Sequence, residues 1–290
     1  MELPDLEQRL MIHIIGQDEA VKAVSRVARR SRTGVRNPSR PLASFLFAGP
    51  SSVGKAKLAN ALAIEFYGSS HYSVIRFDMG DYDRKHLVSH LTDSIIRKPR
   101  SVILFHGIEN AHRDVGHALL RIVDDGTLTN QKGQRGDFRN AIIVMTFDIV
   151  QPEVIRTFRT GNDVQRSISQ FLSGILGAQI SSRIDEVLLF NEVTREHVEQ
   201  IVEVMVREFT GRVRGRKCIE VEVTSGMKRR VVEEGYDPSC GAKPLKSAFT
   251  RLVEDPLADA ILDGRIVRGG RHVTLDYQNH PIVVSDSSSV

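Results

Sequence analysis

The stretch Gly49-Pro50-Ser51-Ser52-Val53-Gly54-Lys55-Ala56 follows four apolar residues, Phe45-Leu46-Phe47-Ala48. It precedes a segment, Lys57 to Phe66, in which Leu58, Leu62 and Phe66 recur at helical spacing. A G-x-x-x-x-G-K loop between a buried strand and a helix is a phosphate cradle: its amides wrap a β-phosphate and the helix N-terminus faces the negative charge. Lys55 would reach the β- and γ-phosphates. Such loops usually continue with Ser or Thr, whose hydroxyl ligates magnesium, and Ala56 has no oxygen to offer. The stretch therefore implies a nucleotide pocket with impaired metal coordination.

Outward from the loop, four more apolar runs resemble Phe45–Ala48: Val74–Phe77, Val102–Phe105, Ile142–Met145 and Val187–Phe190. Runs of four to six apolar residues without polar alternation suit strands buried on both faces of a parallel sheet, and the spacing leaves room for crossover helices. The expected fold class is α/β, with a parallel sheet of about five strands and flanking helices over residues 1–190. Beyond Glu192 the pattern turns helical. Thr194 is a natural N-cap for the stripe Val198, Ile201, Val202 and Met205. A helix over Lys228–Glu234 is expected to end on Gly235 as C-cap, and another over Pro244–Leu262 to kink or restart at Pro256. Gly211 to Lys217 reads as a basic loop. Short strands are expected at Ile219–Val223 and His272–Tyr277. Residues 191–280 thus form a small helical domain with a short sheet, and residues 281–290 a disordered, serine-rich tail.

Composition narrows the function. The chain has 290 residues, 41% hydrophobic and 26% charged, with 40 Lys and Arg against 36 Asp and Glu, a formal charge of +4. That near balance argues against a protein that coats polyanions. No apolar run approaches the roughly 18 residues of a membrane span, so no membrane role is expected. Two cysteines, Cys218 and Cys240, are too few for a disulfide scaffold or a four-thiolate zinc site, and read as free thiols in a reducing compartment. Met1 to Leu10 carries acids and a proline rather than the pattern of a targeting leader. His106, His112 and His117 lack partners at zinc spacing, so no metal site is expected there. The run Arg26, Arg29, Arg30, Arg32, Arg36 and Arg40 reads as a subunit interface or solvated face rather than a nucleic-acid surface.

Collinear motifs carry a family resemblance. They are Ile14-Ile15-Gly16-Gln17-Asp18-Glu19-Ala20-Val21, Arg40-Pro41-Leu42-Ala43-Ser44-Phe45, the phosphate loop, Ile75-Arg76-Phe77-Asp78-Met79, Val123-Asp124-Asp125-Gly126, Val231 to Pro238, and Gly241-Ala242-Lys243-Pro244-Leu245. From about Leu6 to Tyr277 the chain resembles the second AAA+ module of Clp unfoldases and chaperones, most of all the ClpC branch, with ClpB next. The resemblance implies an AAA+ P-loop NTPase core with a helical lid. It also implies ATP or ADP bound by Ile14, Ile15 and Gly49 to Ala56, and a ring of like subunits or a homo-oligomer that acts on client proteins. The plant members of that branch suggest the chloroplast stroma, and a bacterial source would suggest the cytoplasm.

The same alignment exposes departures. The family's strand ends in Asp-Glu, for magnesium and for the attacking water, whereas Val102–Phe105 here ends in His106-Gly107. Imidazole is a poor magnesium ligand and Gly107 cannot be a base, a loss of about 10² to 10⁴ in rate. Glu109, two positions on along a strand-to-loop segment, need not point the same way and is a poor substitute. Asp148 stands where the family has a γ-phosphate-sensing Asn, placing a negative charge beside an anion. Lys243 replaces the sensor arginine of the lid and keeps charge without the bidentate fork. Arg183 matches the arginine finger that reaches a neighbouring subunit. Lys85-His86-Leu87-Val88-Ser89-His90 runs straight into Leu91-Thr92-Asp93-Ser94-Ile95-Ile96, which implies deletion of the aromatic pore loop. Residues 149–170 lack the Ile-Gly-Phe tripeptide, which counts against docking on a ClpP-type protease. Two readings follow: a Clp-type chaperone subunit with degenerate ATPase motifs, and a pseudo-ATPase interaction or regulatory module that binds nucleotide weakly or not at all. Weak or absent magnesium binding goes with both.

Overall fold

The computed structural model describes residues 5–68, 74–112, 114–149, 173–174, 178–237, 242–266, 272–278 and 280–285. The chain divides into two compact units, Met1–Asn191 and Glu192–Val290.

The first unit contains α1 (Leu6–His13), α2 (Asp18–Arg32), β1 (Ala43–Gly49), α3 (Lys55–Tyr67), β2 (Val74–Asp78), α4 (Arg84–Arg97), β3 (Val102–His106), α5 (Val115–Asp125), β4 (Thr127–Thr129), β5 (Arg135–Asp137), β6 (Ile142–Asp148), α6 (Ala178–Ser181) and β7 (Glu186–Leu189). All five apolar runs are strands of one sheet, in the order β2-β3-β6-β1-β7. Every pairing is parallel. All seven residues of β1 are buried, as an apolar run without alternation requires when helices cover both faces. Register decides what meets at the carboxyl ends of the strands. Gly49 lies opposite Asp148, and Asp78 opposite His106. Phe105 lies opposite Met145, which sets His106 level with Thr146.

On one side of the sheet, Leu87, Leu91 and Ile95 of α4 and Leu119 and Ile122 of α5 pack with Phe77 and Phe105. Helix α4 runs unbroken through Ser89-His90-Leu91-Thr92, and Asp83 caps it by accepting the His86 N–H at 2.8 Å. Residues 150–172, which hold nearly all of the segment read for a protease-docking tripeptide, lie outside the described residues.

The arginine run of α2 and its sequel is tied largely to the chain itself. Arg26 pairs with Glu186, and Arg29 lies 3.9 Å from Glu7. Arg32 donates to Phe66 O and its guanidinium sits 4.3 Å above the Phe66 ring. Arg36 donates to Arg40 O at 2.6 Å and Arg139 O at 3.0 Å, and Arg40 to Val123 O at 2.9 Å.

The second unit holds α7 (Arg195–Lys217), β8 (Glu220–Val223), α8 (Ser225–Gly235), α9 (Leu245–Phe249), α10 (Asp255–Leu262), β9 (His272–Tyr277) and β10 (Pro281–Ser285). Thr194 caps α7 and closes a capping box with His197. Three expectations are corrected here. Gly211–Lys217 is the end of α7, not a loop: Arg214, Arg216 and Lys217 suit the negative end of a helix dipole, and Cys218 closes it in the left-handed conformation. Gly235 is the last helical residue of α8 rather than a left-handed cap. A Cβ there would lie 2.8 Å from Leu245 Cα, so glycine is needed for close helix approach. The restart expected at Pro256 is present: a π-helical turn, Thr250–Glu254, joins α9 to α10, and the proline occupies the first turn of α10, where a missing N–H is tolerated. Residues 281–285, expected to belong to a disordered tail, form β10, antiparallel to β9, while β8 pairs with β9 in parallel. Pro281 is admissible because it begins an edge strand. Cys218 is a free, exposed thiol, and Cys240 lies outside the described residues.

Candidate nucleotide site

The loop leaves β1 at Gly49, where φ is +152° and a Cβ would meet Phe190 O at 2.7 Å and Phe190 Cβ at 2.9 Å, so glycine is required twice over. Ser52 and Gly54 take left-handed conformations, φ 64° and 105°. No side chain caps the N-terminus of α3. Its first amides are therefore left for an anion, as a phosphate cradle requires.

Gln17 pins the loop from behind. It is 2% exposed; its Nε2 donates to Val53 O at 3.3 Å and Asn191 O at 2.9 Å, and its Oε1 accepts the Asn191 N–H at 2.8 Å. Ile14 is buried and Ile15 half-buried in the segment leading to Gln17, so this amide links both residues to the loop.

Lys55 does not extend away from the loop. Its Nζ, on a side chain 4% exposed, donates to Gly49 O at 2.8 Å and to Pro50 O, and lies 2.8 Å from Asp148 Oδ1. The geometry at Asp148 is that of an ion pair rather than an aligned hydrogen bond. Burial pulls the Lys55 ammonium below its ordinary pKa, with Asp148 and then Glu109 opposing the shift. The residue expected to repel a phosphate thus serves as the counter-ion of the residue that should bind one.

His106, Gly107 and Thr146 are tied to one another. His106 Nδ1 is 2.9 Å from Thr146 Oγ1, and the same oxygen accepts the Gly107 N–H at 3.2 Å. Gly107 is left-handed, φ 70°, and opens the short 3₁₀ turn Ile108–Asn110 that carries Glu109. Burial raises the pKa of Glu109 above the ordinary carboxylate value, while its own amide and that of Asp148 counter the shift. Its Oε2 is buried with no hydrogen-bond partner among the described residues. Glu109→Gln is accordingly expected to stabilise the fold at neutral pH. The raised pKa means that the folded protein holds the proton more firmly than the unfolded chain, so wild type loses stability as pH rises through that folded pKa. The gap between variant and wild type should open with rising pH and close below the unfolded carboxyl pKa; chemical denaturation across pH reads it, and a gap that widens toward acid would refute the assignment.

Magnesium is tested against these donors. Asp78 is paired by Arg76 at 2.6 Å, which holds its carboxyl below the usual range, and Asp148 is paired by Lys55. His106 is hydrogen-bonded to a hydroxyl and Ala56 has no donor. Among the described residues no group of three or more His, Cys, Asp or Glu side chains is placed to hold a metal ion. Glu109 Oε2 is the one buried carboxylate oxygen left without a hydrogen bond or ion pair among these described groups, and a hard cation that wants several oxygens does not fit a single such donor.

Arg183 precedes β7 at the opposite end of the sheet from the loop and lies 3.3 Å from Asp124. Lys243 is exposed in the turn before α9 of the second unit. Sequence reasoning missed Gln17 and Thr146 as structural partners of the site. A lone hydroxyl within the apolar run Ile142–Phe147 was the available signal, since a buried polar group needs a partner.

Two family models match: residues 89–216 fit the AAA domain (Cdc48 subfamily), and residues 193–275 fit the C-terminal, D2-small domain of ClpB protein. The chain is a Clp-type second AAA+ module. Its relatives include the ATP-dependent Clp protease ATP-binding subunit ClpA homolog of Pyropia yezoensis, 39% identical over 96% of this chain and 37% of that protein. Chaperone protein ClpC1, chloroplastic, of Oryza sativa subsp. japonica is 36% identical over 98% of this chain and 34% of the relative. Chaperone protein ClpC2, chloroplastic, of Arabidopsis thaliana is 37% identical over 97% and 32%. The Clp-type module therefore spans about a third of the length of these relatives.

Proposed function

We propose that this module belongs to a Clp-type chaperone and occupies a nucleotide-binding position without turning nucleotide over. The observation that carries the reading is the ammonium of Lys55, paired at 2.8 Å with Asp148 instead of being left for a phosphate. Three further positions lack the oxygen that hydrolysis needs: Ala56, His106 and Gly107. ADP or ATP binds through the loop amides and the start of α3, weakly, because Asp148 must be displaced or protonated as the phosphates arrive. Magnesium comes with the nucleotide rather than through ligands of the chain.

The names of the relatives support a chaperone that assembles with Clp-type subunits or with itself and acts on proteins, and those marked chloroplastic support the chloroplast. A cytoplasmic setting goes with a bacterial source. The unbroken helix α4 supports a seat in such an assembly that grips no client. Phosphate release by the purified chain with magnesium and ATP tests the proposal: background release is expected, and sustained turnover blocked by Lys55→Met would overturn it.

A further inference from the structure

We propose that a second site, independent of the phosphate loop, binds an acidic and partly apolar polypeptide segment. It is a groove of about 630 Å³ between the first turn of α4, the start of α5 and the β4–β5 hairpin. Arg84 and Lys85 of α4 and Arg121 of α5 line it, all three exposed. None of these side chains has a hydrogen-bond or ion-pair partner among the described residues, in a protein where most arginines do.

The acids of the same wall do not cancel them. Asp83 accepts the His86 N–H at 2.8 Å and lies 2.9 Å from His86 Nδ1, and Asp114 lies 3.5 Å from His112 Nδ1. Three cations against these two carboxylates leave the groove a net charge of +1 with its histidines neutral. Half-buried Val88 lines the floor, with the buried Ala118 and Leu128 beneath it. The hairpin wall is preformed: Asn130 Oδ1 accepts the amides of Lys132 and Gln134 at 3.0 Å each, and Asn130 Nδ2 donates to Gln134 Oε1 at 2.8 Å. Cations on a fixed wall over an apolar floor suit carboxylates alternating with apolar side chains, and little ordering is needed on the protein's side. Single-stranded nucleic acid fits less well, because no Phe, Tyr or Trp lines the groove for base stacking.

The test is fluorescence anisotropy of the full chain, without nucleotide, against a labelled peptide alternating Asp or Glu with Leu. Saturable binding that weakens with salt is expected, and at least about tenfold loss in the double variant Arg84→Glu/Arg121→Glu. An equal change of charge elsewhere, Arg216→Glu/Lys246→Glu, should leave affinity within about twofold. Should the double variant melt early, Lys85→Glu alone serves the same purpose. Equal loss in both double variants, equal binding of the Asn/Gln version of the peptide, or tighter binding of a single-stranded oligonucleotide would each overturn the proposal. Because no nucleotide is present, failure here leaves the reading of Lys55 and Asp148 untouched.

Discussion

Asp148→Asn should make the module bind ADP about ten- to a hundredfold more tightly than wild type. A carboxylate about 5 Å from a phosphate charge opposes it by roughly 3 kcal/mol at an effective dielectric of about 20, and salt removes part of that. The substitution removes this repulsion and frees the ammonium of Lys55. It has a cost in the nucleotide-free protein. Lys55 is 4% exposed, and losing a buried counter-ion is destabilising, although the Gly49 and Pro50 carbonyls still accept from it. The apo variant should be less stable by about 1–3 kcal/mol. It should then recover more stability with ADP than wild type does, since ligand binding to the folded state stabilises by mass action. Thermal melts with graded ADP read both effects. The gain should vanish in a Lys55→Met background. An ADP response identical to wild type would remove the basis for treating Asp148 as the internal competitor of phosphate.

The second large effect belongs to Gly49→Ala, with an expected loss of about 2–4 kcal/mol in unfolding free energy. Two terms add at this position. The backbone conformation is one that side chains rarely adopt, and the new methyl would sit 2.7 Å from Phe190 O. That carbonyl belongs to main chain fixed by the Phe190 N–H donating to Ala48 O at 2.7 Å, so it cannot turn aside cheaply. Gly49 O also accepts from the Ile149 N–H at 3.0 Å and from Lys55. Any shift of Gly49 therefore disturbs three segments together. Gly133→Ala separates the terms: it too has a positive φ, 78°, but nothing lies within 4 Å of its Cβ position. It should lose only about 1 kcal/mol. Equal losses at both positions would mean that conformation, not crowding, rules at Gly49.

Much of this was legible in the chain itself. Short apolar runs marked all five strands of the main sheet; burial on both faces leaves that imprint on the three inner strands, whereas the edge strands β2 and β7 are only partly buried. The loop was legible because the glycines, the lysine and the flanking strand and helix are contiguous. Strand order left no such imprint. Nothing local says that Gly49 stands opposite Asp148, so the sequence showed Asp148 only as a charge hostile to phosphate, not as a partner of Lys55. Gln17 was hidden for the same reason, since its partner Asn191 is 174 residues away. The errors of type lay where local signals conflict with packing. Glycines and arginines in Gly211–Lys217 suggested a loop, yet the segment continues a 23-residue helix. The run Pro281-Ile282-Val283-Val284 was overshadowed by the serines that follow it.

The position of β1 bears on how the chain is made. Its two neighbours are β6 and β7, whose residues begin at Ile142 and Glu186, far behind it on the ribosome. A nascent chain interrupted before Ile142 offers neither edge of that strand a companion, so a seven-residue strand, apolar but for Ser44, must wait, shielded by helices or by a holding factor, until the later strands emerge. The segment that looks most complete when read along the chain is among the last to be enclosed during synthesis.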